Sequence, residues 1–68
     1  MELSARNQLK GKVKSIKLAT VMAEVVVELP DGQEIVAAIT RGSVERLNLQ
    51  TGDEVVAVIK STAVMIGK

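Results

Sequence analysis

Residues 20–40 read TVMAEVVVELPDGQEIVAAIT, and the fold turns on them. From Thr20 to Leu29 the side chains alternate. Val21, Ala23, Val25, Val27 and Leu29 share one parity; Met22, Glu24, Val26 and Glu28 share the other. A repeat of two residues is the period of an extended strand, because successive side chains leave opposite faces. Pro30-Asp31-Gly32 then supplies turn chemistry: proline presets φ and glycine accepts φ > 0. Glu34 to Thr40, EIVAAIT, returns as another apolar run. The stretch predicts a β-hairpin.

The flanks extend the pattern. In Lys10–Leu18, KGKVKSIKL, the lysines at 10, 12 and 14 alternate with Gly11, Val13 and Ser15, yet Ile16 and Leu18 fall on the lysine parity. A bulge near Ser15 reconciles the two halves, as in a strand bending around a barrel corner. Gly42–Leu49, GSVERLNL, changes period; Val44, Leu47 and Asn48 lie three and four apart, which predicts one or two helical turns capped by Thr40 or Ser43. Thr51-Gly52-Asp53 breaks the chain again. Glu54–Lys60 is the next expected strand, and Thr62–Ile66 a shorter last one. The expected fold is all-β: a five-stranded OB-like barrel, of the oligonucleotide/oligosaccharide-binding type, with one short helix between strands three and four.

Size limits how such a barrel is stabilised. Sixty-eight residues make a single domain, 1–68, of marginal stability. The chain has no Cys for disulfides, no His, and no Phe, Trp or Tyr. The core is therefore built from Val, Ile, Leu, Ala and Met, with Met22 and Met65 read as filler. By elimination, the expected staple is self-association into a homo-oligomer. Ile35–Ile39 and Val55–Ile59 agree, because both are apolar on both faces and need a second layer that one short chain lacks.

Composition also excludes functions. A formal charge of +1 is too balanced for a strong nucleic-acid footprint. The alternative, a small nucleic-acid-binding β-barrel using the Lys10–Lys17 face, lacks the aromatic side chains on which bases stack. Edge protection explains those lysines better. There is no export-signal pattern and no apolar run near the ~20 residues of a membrane span, so the expectation is a cytoplasmic protein with no membrane partner. Catalysis has little footing without His. Glu24, Glu28, Asp31, Glu34, Glu45, Asp53 and Glu54 fall at turn or surface positions, and Lys60 and Ser61 point to opposite faces if both are in a strand. The expectation is no enzyme, no catalytic residue and no metal-ligand cluster.

Three polar stretches stand out: SARN at 4–7, TRGS at 40–43 and KST at 60–62. Each has a plain reading, namely a solvated extension, a helix cap, and an edge lysine before a turn. Each is also rich in hydrogen-bond donors, and an arginine fork suits an oxyanion.

Taken together, SARNQLKGKV, EVVVELPDGQEIVAAIT, SVERLNLQTGDEVVAVIKST and VMIGK resemble the molbindin family of small cytoplasmic molybdate- and tungstate-binding proteins. The resemblance spans Ser4 to Lys68 and rests on SARN combined with GDEVVAVIKST. It implies a TOBE-like barrel assembled as a homohexamer, a trimer of dimers, with oxyanions at subunit interfaces. It implies Ser4 and Arg6, Lys60 and Ser61, and Thr40 and Ser43 as oxyanion-binding residues, the first pair facing the second across a subunit boundary. The ligand implied is molybdate or tungstate, with metal bound only as the oxyanion and no organic cofactor. With no DNA-binding or ATPase segment in the sequence, storage and homeostasis are expected rather than regulation or transport.

The residue types suit that ligand. Molybdate near neutral pH is a fully deprotonated tetrahedral dianion and only accepts hydrogen bonds. The six side chains offer two cations and four hydroxyls, with no carboxylate. Hydrogen phosphate carries a proton that needs an acceptor, and an unpaired buried polar group costs about 1–3 kcal/mol. Sulfate is proton-free, so only pocket size discriminates against it.

Overall fold

The computed structural model describes all 68 residues. In chain order they form β1 (Asn7–Leu18), β2 (Met22–Glu28), β3 (Glu34–Thr40), α1 (Arg41–Arg46), β4 (Glu54–Ile59) and a 3-10 turn (Ser61–Ala63). The strands make one curled antiparallel sheet in the order β3-β2-β1-β4, a small all-β, OB-like fold. The hairpin expected over 20–40 is β2–β3, with Val25 opposite Ala37 and Val27 opposite Ile35.

β1 is the spine, since it pairs with β4 through its first half and with β2 through its second. Its register against β2 runs Val13↔Val27 and then Ser15↔Val26, which leaves Lys14 as the extra residue of a bulge. That residue lets Val13 and Ile16 both turn inward, as the parity change in the sequence required. The core is Val13, Ala23, Val25 and Val27 from the sheet with Val44 from α1, and Ile16, Ala37, Ile39, Leu49 and Val55 pack around it. Methionine is absent from this cluster: Met22 is 44% and Met65 92% exposed, so the filler role expected for them does not hold. Met22 falls on the outer parity of β2, and Met65 lies beyond the last element.

Local chemistry sets both ends of α1. The Thr40 hydroxyl accepts the Ser43 backbone N–H at 3.0 Å, an N-cap bond. At the other end Asn48 takes φ 50, the left-handed conformation asparagine tolerates. The Asn48 N–H donates to the Glu45 carbonyl, and the Leu49 N–H to the Val44 carbonyl, each at 3.0 Å. This is a Schellman ending, and it swings Leu49 back onto the core beside Val44. The helix is therefore shorter than the 42–49 expected, and Leu47 is exposed rather than packed.

The fifth strand expected at Thr62–Ile66 does not form. The Ala63 N–H donates to the Lys60 carbonyl at 2.9 Å, closing a turn just after β4, and Val64–Lys68 carries no secondary structure. The apolar signal at 64–66 was real, but within one chain it meets no sheet edge; Met65 and Ile66 stay exposed. β3 and β4 are consequently open edges. Their outward residues Val36, Val56 and Val58 are also exposed, so the doubly apolar character read from the sequence survives as uncovered surface.

Candidate functional site

Asn7 opposite Ile59 is the last rung of the β1–β4 ladder. Beyond it the N-terminal segment and the end of β4 run side by side and bound an open cleft of about 730 Å³. Its lining is Ser4, Ala5, Arg6, Asn7, Val58, Lys60 and Ser61. Four of the six residues expected to bind an oxyanion therefore meet in one chain. The pairing of Ser4 and Arg6 with Lys60 and Ser61, expected across a boundary between subunits, is already made by sheet register within the chain.

The lining contains two cations, two hydroxyls and the Asn7 amide, and no carboxylate. Such a wall donates hydrogen bonds and carries net positive charge, which is what a proton-free anion requires. Asn7 is the member that the ligand set implied by the family resemblance left out, although its amide counts among the donors of SARN. The signal for it was its place in SARN, next to Arg6, at the start of β1.

Thr40 and Ser43 lie elsewhere. β3 ends with Thr40 opposite Met22, at the end of the sheet where β1 finishes with Leu18 opposite Ala23. The cleft is at the other end of β1. The two hydroxyls are 2.7 Å apart and serve the helix cap, with Arg46 donating to the Ser43 hydroxyl at 3.4 Å. Within a single chain they do not reach the cleft.

The lysine-bearing strand is electrostatically matched rather than basic. Lys12 has Glu28 opposite it on β2 and Glu54 on β4, and Lys17 has Glu24 opposite. Lys14 bonds Glu34 and sits 3.8 Å from Glu28. The hydrogen bond to Glu34, reinforced by that carboxylate's charge, raises the Lys14 ammonium above its usual pKa. In the β2–β3 turn, bonds from the Gln33 side-chain amide and backbone N–H lower the Asp31 carboxyl below its usual value.

An OB-like sheet with a carboxylate-free, donor-lined cleft at one end has the chemistry that an anionic guest requires. Residues 3–66 match the family model of the TOBE domain, and the chain belongs to that family. Its likeness there is to the molbindins. It is 53% identical over 66 residues to molybdenum-pterin-binding protein 1 of Clostridium pasteurianum, which spans 97% of each chain. MopII from the same organism, in an apo form, matches with a TM-score of 0.94 at 51% identity, covering 98% of this chain and 100% of that one. A molybdate-binding protein from Sporomusa ovata matches with a TM-score of 0.93 at 46% identity, covering 100% of both chains.

Proposed function

We propose that this chain, acting as one domain over residues 1–68, binds molybdate and tungstate and stores them in the cytoplasm. The observation that carries the reading is the cleft where Ser4, Arg6, Lys60 and Ser61 converge without a carboxylate. A guest dianion would reverse the sign of the chain's formal charge of +1, so a loaded store stays near neutrality. A pterin ring would need hydrogen-bond acceptors and a flat aromatic wall. The cleft has no aromatic side chain, and its Ser4, Ser61 and Asn7 side chains can all donate, so its chemistry favours the oxyanion. The protein acts by binding and not as an enzyme.

The assembly in this reading is a homohexamer, a trimer of dimers, with anions at subunit interfaces. Two features support self-association. Only 5 of 68 residues are buried in the isolated chain, and Val36, Val56, Val58 and Ile66 are left uncovered. Thr40 and Ser43 reach an anion in the cleft only if a second copy supplies them.

Calorimetry and native mass spectrometry test this together. Molybdate and tungstate should bind, hydrogen phosphate should not, and the spectra should show six subunits with retained oxyanion. Arg6→Ala should weaken molybdate binding with the assembly intact. Wild-type affinity in that variant removes Arg6 from the site; absence of molybdate from every species ends the proposal.

A further inference from the structure

We infer that Gln8 is a positioning residue for the anion cleft: it holds the Ser4–Asn7 wall in place by engaging two of its carbonyl oxygens. The inference rests on the oxyanion reading above. Gln8 is the second residue of β1, opposite Val58, and its side chain is exposed and outside the cleft lining. From there it makes two bonds to the segment before it. Its side-chain amide donates to the Ala5 carbonyl at 2.7 Å, and its backbone N–H donates to the Arg6 carbonyl at 3.1 Å.

These bonds fix the orientation of two peptide planes. All peptide bonds here are trans, so each C=O points opposite to the N–H that follows it. Drawing the Ala5 oxygen toward Gln8 turns the Arg6 N–H the other way. Drawing the Arg6 oxygen toward Gln8 does the same for the Asn7 N–H. The Arg6 N–H has no backbone acceptor, so it remains a free donor beside a cleft that Ala5, Arg6 and Asn7 all line. A carbonyl oxygen turned into that cleft would repel a dianion. Gln8 thus engages two acceptors of the wall with its own donors.

The test is Gln8→Met, which keeps a long side chain at an exposed strand position but has no donor. In the ligand-free protein, 15N relaxation should show nanosecond mobility at the Ala5 and Arg6 amides, next to the carbonyl that loses its donor. The melting temperature and subunit number should stay as in the wild type. Molybdate affinity should fall by about tenfold, the scale of one hydrogen bond. Gln8→Lys, which restores a donor of similar reach, should restore order to both amides. Gln8→Ala, read the same way, guards against a misfolded methionine variant. Rigid amides in the Met and Ala variants overturn the role of Gln8 whatever the affinity. Absence of molybdate from every species of the wild-type protein in native mass spectrometry, run beside them, overturns the oxyanion reading instead, so the two failures are distinguishable.

Discussion

Gly11 lies so close to the main chain at Glu28 that a Cβ on it would stand 2.6 Å from the Glu28 carbonyl oxygen, and 2.7 Å from Cγ1 of Val27. Both contacts are in β2, the strand that carries much of the core. A strand glycine often marks such a close approach. Gly11→Ala forces β1 away from β2, and the expected loss is about 2 kcal/mol or more. Urea unfolding should show a lower midpoint with an unchanged slope.

Val13 is 2% exposed and sits beside the bulge where β1 meets both neighbours. Val13→Ala should cost about 2 kcal/mol through lost burial and the cavity left behind. In so small a core, thermal unfolding followed by circular dichroism should register that clearly.

The helix exit makes a sharper comparison. Asn48 holds φ 50 with its side chain exposed, so its importance is conformational. Asn48→Ala should lose about 1 kcal/mol, because alanine resists the left-handed region, while Asn48→Gly should match or slightly exceed the wild type. A melting temperature lowered equally by both would mean that the asparagine side chain itself matters.

Thr40 carries two expected roles that one substitution can separate. Aspartate caps helices as well as threonine does, so Thr40→Asp should keep stability within about 0.5 kcal/mol of wild type. It also places a carboxylate where the proposed site requires a donor, so molybdate binding should be lost. Thr40→Ala should show the reverse emphasis in stability, falling by about 1 kcal/mol. If Thr40→Asp binds molybdate as tightly as the wild type, Thr40 only caps α1.

Asp31 and Lys14 give opposite pH dependences. The Asp31 pKa is lowered from 3.8 by Gln33, so its contribution is full above that unfolded value and disappears as pH falls through the folded one. The Lys14 pKa is raised from 10.5 by Glu34, so its contribution is full below that value and disappears as pH rises through the folded one. Asp31→Asn should flatten only the acid limb of a stability–pH curve, and Lys14→Met only the alkaline limb.

How much of this was legible beforehand differs by element. The β2–β3 hairpin, the bulge in β1 and the Thr40 cap follow from strict parity and local hydrogen-bond chemistry, which a sequence displays directly. The early helix stop at Arg46 was hidden because Asn48 ends a helix through one backbone angle, not through a change of hydropathy. The missing last strand was hidden for a different reason. Strand formation at Thr62–Ile66 depends on an available edge, and apolar residues there say only that something must cover them. For the site, the residue types of SARN and KST were readable, but their meeting within one chain was not. That depends on Asn7 pairing with Ile59, a register set across more than fifty residues of chain. Gly11 gave no signal beyond its identity, because its value lies in what it touches.

The two walls of the cleft are the loose ends of adjacent strands, joined only by the rung behind them. Anything gripped there acts as a clasp on a zip: it resists fraying from the end where β1 and β4 first meet. Occupancy and sheet cohesion are then a single property, so a filled protein should withstand heat and proteases that open an empty one.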